Sequence, residues 1–152
     1  MVRMIPFETR SDARRSAVPQ RQVAALCWRK VRGRTEVLLI TSRDTGRWVV
    51  PKGWPISGLT DAQAAMREAW EEAGVRADAA KSRRVGKFYY DKARDDGTDL
   101  PVVADVYKVR LRTGDLADRF PEAGQRTRVW VAARKAAKLV QEPALRALLR
   151  SL

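Results

Sequence analysis

Glu68, Glu71 and Glu72 crowd together in the run MREAWEEAGV, directly after Arg67, in a chain whose 31 Lys and Arg outnumber its 18 Asp and Glu. Helical spacings of three and four residues bring side chains to one side. The three glutamates therefore share an arc of about 100°. Like charges so placed repel, and carboxylates near a helix C-terminus oppose its dipole. A divalent cation would reverse both penalties. Hard cations such as Mg²⁺ take oxygen ligands, commonly one or two carboxylates completed by water and substrate phosphates. A solvated acidic face, with Arg67 paired to Glu71 across one turn, accounts for the same residues without a metal.

What the chain lacks narrows the chemistry further. It has no histidine and a single cysteine, Cys27, set in the apolar stretch VAALCW. Histidine-based triads, Cys-His nucleophiles and His-rich zinc sites are excluded, as is an internal disulfide. Cys27 reads as a buried structural thiol. Any enzyme here must titrate near neutral pH through carboxylates, lysine or metal-bound water. The net charge of +13 predicts attraction to polyanions. Arginine dominates the basic residues and suits bidentate phosphate contacts.

The elements that must position these groups follow from local pattern. With 152 residues, 45% of them hydrophobic, the chain suits one domain with a substantial core. Residues 1–19 read as a basic arm, and 20–152 as the domain. VAALCWRKV and EVLLITS, joined by RGRT, predict a hairpin. The loop RDTGRW carries Arg43 and Arg47, and WVV leads to Pro51. Thr60 with Gln63 forms a capping box, and Gly74 fits a C-terminal stop. They bound a helix that buries Ala62, Ala65, Met66, Ala69 and Ala73. KFYY, a polar loop DKARDDGTDL, a strand VVADVYKVRL, a long connection and a short strand RVWV follow. Two helices close the chain, the second with Pro143 at its first position. The expected fold is α/β or α+β, a mixed sheet between helices. No apolar run is long enough to span a bilayer and the first twenty residues lack an apolar h-region. The expected location is cytoplasmic.

From Gly53 to Val75 the sequence fits the pattern G-x5-E-x7-R-E-U-x-E-E-x-G-U, where U is apolar, at Gly53, Arg67, Glu68, Ala69, Glu71, Glu72, Gly74 and Val75. In this it resembles the Nudix hydrolases, whose box is a loop, a helix and a loop. One position departs. Leu59 stands where the pattern has its first glutamate, so that secondary ligand or base has no counterpart here. The likeness extends from about Gln20 to Leu152. PKGWPISG, YYDKARDDG and FPEAGQRTRVW make it similar to the bacterial branch related to diphosphoinositol polyphosphate phosphohydrolases.

The resemblance implies a hydrolase that splits a linked diphosphate by water attack at phosphorus, with Mg²⁺, or alternatively Mn²⁺, as cofactor. It assigns Glu71 and Glu72 as principal metal ligands and Glu68 as a further ligand or the general base. Arg67 would orient a glutamate, and the backbone carbonyl around Lys52–Gly53 would complete the metal shell. Glu122, in the long connection, is the second candidate base. Arg43, Arg47, Lys52, Lys92 and Arg94 lie in or beside loops that could reach substrate phosphates. Each of these also reads as plain surface charge.

A highly anionic small molecule is the expected partner, of the diphosphoinositol polyphosphate or dinucleoside polyphosphate type. ADP-ribose is disfavoured, because FYYDK occupies the region where its hydrolases carry a proline. Tyr89 and Tyr90 could stack on a base or simply pack in the core. The alternatives are an RNA 5′-end pyrophosphohydrolase and a non-catalytic polyanion- or RNA-binding module. No RNA-binding motif is visible, no membrane contact is expected, and the sequence leaves the oligomeric state open.

Overall fold

The computed structural model describes residues 18–152, so the basic arm expected over 1–19 lies almost wholly outside the described residues. Strand β1 (Gln20–Val31) is the axis of the molecule. Val23, Ala25 and Cys27 point to one side of the sheet, Ala24 and Leu26 to the other, and all five are fully buried. Burial on both faces is why this strand is an unbroken apolar run and not an alternating one.

β1 turns back into β2 (Arg34–Thr41) through Arg32 and Gly33, both with positive φ (51° and 77°). That is the backbone of a two-residue hairpin turn with a twist matching the strands. The turn is tighter than expected: Arg34 and Thr35 already pair with Val31 and Lys30. Two short strands follow, β3 (Trp48–Val49) and β4 (Lys52–Gly53). β4 pairs antiparallel with the N-terminal half of β1, Val23 opposite Gly53 and Ala24 opposite Lys52. This sets Lys52 and Gly53 against helix α1 (Asp61–Ala73).

β5 (Arg83–Ala93) and β6 (Asp99–Arg110) form a second hairpin, with β6 parallel to β1. Much of the segment expected as a polar loop is strand here. Lys92 pairs with Leu100 and Ala93 with Asp99. An edge hairpin open to solvent needs little apolar pattern, so its ends read as loop. β7 (Arg128–Ala132) pairs with β2, completing a seven-stranded mixed sheet.

Helix α1 covers one face of the sheet over Val23, Ala25, Cys27, Leu38 and Ile40. Helices α2 (Ala133–Leu139) and α3 (Pro143–Arg150) cover the other. The sandwich matches the expected mixed sheet between helices. In α1 the capping box of Thr60 and Gln63 forms in both directions. Its buried face is Ala64, Ala65, Met66, Ala69 and Ala73, so Ala64 takes the core place expected of Ala62. Among the described residues no helix is long and apolar enough to cross a membrane.

Candidate active site

The C-terminal end of α1 explains how this chain tolerates its acidic cluster. No basic residue lies in the last helical turn. Positive charge comes instead from the connection before β7 and from Arg128, the first residue of that strand. Arg128 donates from Nη1 to the Ala73 carbonyl at 2.7 Å. Arg126 places Nη2 3.1 Å from Glu72 Oε1. Both cations sit where the helix dipole favours them. Gly74 takes the left-handed conformation (φ 71°) that ends the helix, and a β-carbon there would lie 2.6 Å from the Phe120 ring. Glycine is required on both counts.

The connection is laced onto this helix end. The Ala117 N–H donates to the Gly74 carbonyl at 2.8 Å and the Glu122 N–H to the Glu71 carbonyl at 2.9 Å. Carbonyls left open by helix termination are thereby satisfied. The same stitching delivers the Glu122 carboxylate to the glutamates of α1. Arg126 joins them, with Nη2 3.1 Å from Glu122 Oε1 and Nη1 donating to the Thr41 carbonyl at 3.2 Å.

On the facing side, Glu72 Oε2 accepts the Lys52 N–H at 3.0 Å. Glu68 lies flat against Gly53, with no room for a side chain between them. The result is a cavity of about 230 Å³ whose walls include Glu68, Glu72, Glu122, Arg43, Lys52, Lys92 and Arg126. Burial, then the charges of Glu72, Glu71 and Glu122, push the Glu68 carboxyl up to about 7. Burial also raises Glu72, against the pull of Arg126. Burial brings the Lys52 ammonium down to about 8, partly offset by Glu72; its Nζ lies 5.0 Å from the centre of the Tyr90 ring. The Tyr90 hydroxyl donates to Gln22, another wall residue and itself buried.

The residues singled out from the sequence are therefore only partly brought together. Gly53, Glu68, Glu72, Glu122, Arg43, Lys52 and Lys92 share the cavity. Glu71 stands just outside it, close enough for its charge to act on Glu68. Arg67 lies on another flank of α1, lining a separate groove with Leu59 and Trp70. Among the described residues Arg67 forms no ion pair, with Glu71 or otherwise. Arg47 is held by the buried Glu142 at the start of α3 instead of facing the cavity. Arg94 sits in the β5–β6 turn, with its N–H bonded to the Thr98 carbonyl at 2.8 Å. Tyr89 is exposed, whereas Tyr90 turns toward the cavity. Arg126, the cation that organises two of the carboxylates, was missed by sequence reasoning. Its only signal was the four-residue spacing from Glu122.

All the anionic donors are oxygens, which suits a hard cation and excludes soft-metal chemistry. Among the described residues no three acidic side chains form a ready cation cage. An ion here would be completed by water and phosphate, the usual manner of Mg²⁺. The residues fit such an ion.

The comparisons with known proteins bear on the family and the fold. A family model described as NUDIX domain matches residues 20–152. Nudix hydrolase 4 of Arabidopsis thaliana is 30% identical over 106 residues, covering 70% of this chain and 48% of that protein. Diphosphoinositol polyphosphate phosphohydrolase 3-beta of Bos taurus is 33% identical over 84 residues, covering 55% of this chain and 50% of that protein. The chain spans about half the length of these curated relatives. Among solved structures, the C. elegans Ap4A hydrolase superposes with a TM-score of 0.62 at 23% identity, covering 88% of this chain and 95% of that one. The MutT protein from Bacillus halodurans gives 0.61 at 20% identity, covering 86% and 80%. These likenesses are of fold. With the box residues in place on α1 and the family model spanning the whole sandwich, the chain belongs to the Nudix family.

Proposed function

We propose that this chain is a Mg²⁺-dependent pyrophosphohydrolase acting on a highly anionic substrate, a diphosphoinositol polyphosphate or a dinucleoside polyphosphate. One observation carries the reading: Glu68, Glu72 and Glu122 line one cavity together with Arg43, Lys52 and Lys92. Carboxylates for a cation and cations for phosphates are both present, as a diphosphate bond requires. Relatives named for diphosphoinositol polyphosphate and Ap4A hydrolysis support the substrate class.

Glu68, Glu71, Glu72 and the Gly53 carbonyl would hold the metal. When bound, it would neutralise the diphosphate and make a water molecule more acidic. Phosphoryl transfer then asks the protein mainly for positioning and charge stabilisation. Arg43, Lys52 and Lys92 supply that toward the phosphates. Glu68, whose carboxyl in the metal-free protein is raised to about 7, is the first candidate general base. Glu122 is the second candidate base, steered by Arg126 and by Arg43, whose Nη1 is 3.6 Å away.

The test is phosphate release, with and without Mg²⁺, from a panel of diphosphoinositol, dinucleoside polyphosphate and nucleoside diphosphate-sugar compounds. Metal-dependent release from either of the first two classes is expected. Release that ignores the metal, or that occurs only from the sugar compounds, overturns the proposal.

A further inference from the structure

The positive charge of the chain is not confined to the catalytic cavity. A second concentration lies at the far end of β1 and β6, and from Gln22 to Lys30 the strand covers roughly 26 Å. There Lys30, Arg110 and Arg112 line a separate cavity of about 450 Å³ with Arg29 and Trp130. Lys30, Arg110 and Arg112 are exposed, and among the described residues none of their side chains has a carboxylate partner, Asp115 accepting only the Arg112 backbone N–H at 2.7 Å.

Arg29 differs from its neighbours. Glu36 holds its guanidinium, with Nε donating to Oε1 at 2.8 Å and Nη2 in ion-pair contact 2.7 Å from the same oxygen. So fixed, the guanidinium lies over Trp130, 4.2 Å from the ring centre. Its charge is offset and its plane is set, which makes a flat stacking platform at no ordering cost. Around the corner, Lys108 Nζ and Arg110 Cζ each lie 5.2 Å from the centre of the Trp28 ring. Two cations drawn to one ring repel each other, and burial together with Arg83 lowers the Lys108 ammonium. A phosphate between them would relieve that repulsion.

We propose that this sheet end, formed by Arg29, Lys30, Arg110, Arg112, Trp28 and Trp130, is a docking surface for single-stranded nucleic acid. Unpaired cations meet the phosphates, and the Arg29–Trp130 stack receives a base. A positive groove interleaved with flat platforms is how proteins hold single strands without reading sequence. A bare polyanion would use the cations but not the platform. A duplex would keep its bases stacked inside. The surface is independent of the proposed hydrolysis and persists whatever the catalytic cavity cleaves.

The experiment is fluorescence anisotropy of the full chain with a labelled single-stranded RNA of about ten nucleotides. Competitors are a matched duplex, inorganic polyphosphate of equal charge, and phosphatidylserine vesicles. The single strand should bind more tightly than each competitor, with affinity falling steeply with salt. The triple variant Lys30→Ala, Arg110→Ala, Arg112→Ala should weaken it by at least about tenfold while leaving hydrolysis of a small substrate unchanged. Equal or tighter binding of polyphosphate, duplex or vesicles overturns the assignment. So does unchanged affinity in the triple variant. Photocrosslinking of a 4-thiouridine strand to the unmodified protein tests the location without any variant. Adducts within residues 28–34 and 108–114 support it, and adducts confined to 42–54 overturn it.

Discussion

The Glu68 carboxylate rests so close to the Gly53 backbone that a β-carbon at Gly53 would lie 2.3 Å from Glu68 Cδ and 2.5 Å from each carboxylate oxygen. The glycine is needed for space, since its φ is not positive. Gly53→Ala should therefore force Glu68 out of the cavity. The expected loss in kcat/KM is at least about a hundredfold, roughly 2.7 kcal/mol in the barrier. The melting temperature should fall little, because Glu68 is the movable partner. Activity within about tenfold of the parent would show that Glu68 need not lie there.

Glu72→Gln should nearly abolish hydrolysis. A glutamine still accepts the Lys52 N–H, and Arg126 keeps Glu122. Lost attraction to Arg126 and relieved repulsion from Glu68 oppose each other, so metal-free melting should shift by no more than about 4 °C. The parent should gain stability on adding Mg²⁺, and the variant should lose most of that gain. Retention of a tenth of the activity would remove Glu72 from the ligand set.

Leu59→Glu restores the box pattern but not its usual consequence. Leu59 lines the groove shared with Arg67 and Trp70, away from the carboxylate cavity. A glutamate there would meet Arg67 before it met a metal. The change in kcat should stay under about tenfold, or 1.4 kcal/mol. A much larger gain would mean that the natural residue disables the site.

Local rules made α1 legible, because its capping box, apolar face and Gly74 stop all lie within the helix itself. The acidic cluster was legible for the same reason. Its compensation was not. Arg126 and Arg128 reach Glu72 and the Ala73 carbonyl from more than fifty residues away, and no periodicity records such a contact. Arg43, Arg47 and Arg94 look alike in sequence, yet only Arg43 lines the cavity, since Glu142 holds Arg47 and a turn carries Arg94. Loop arginines are sorted by tertiary partners. The Arg29–Trp130 stack depends on β7 returning beside β2, a pairing equally invisible along the chain.

Metal-free stability should pass through a minimum between about pH 7 and pH 8. Glu68 is raised from 4.5 to about 7 in the fold, so the folded chain holds a proton that the unfolded chain has released. Stability from this group is complete below 4.5 and is lost as pH rises through 7. Lys52 is lowered from 10.5 to about 8, so above 8 the unfolded chain holds the extra proton and stability recovers. Above pH 9 the buried Cys27 thiol, pushed up to about 12, works against that recovery. Calorimetry of the metal-free protein from pH 5 to 9 reads both limbs. Glu68→Gln should flatten the acid limb and Lys52→Met the alkaline one. A monotonic curve in the parent would contradict both assignments.

Substrate charge should govern the response to salt. Arg43, Lys52 and Lys92 line the cavity, and salt screens exposed charges beyond roughly 10 Å at 0.1 M. A substrate with more phosphates has more contacts to lose, so KM should rise more steeply with salt for a diphosphoinositol polyphosphate than for ADP-ribose. Arg43→Ala or Lys92→Ala should raise KM for the polyphosphate and flatten its salt dependence, with kcat nearly kept. Arg47→Ala should behave differently. It strips the buried Glu142 of its cation, and among the described residues Glu142 Oε2 already lacks a hydrogen-bond partner. Leaving a buried charge unpaired is strongly destabilising, so this variant should lower the melting temperature while leaving the salt slope intact. Measuring kcat/KM at two ionic strengths alongside melting separates the two kinds of arginine. Equal slopes for both substrates, or a preference for ADP-ribose, would sink the polyphosphate assignment.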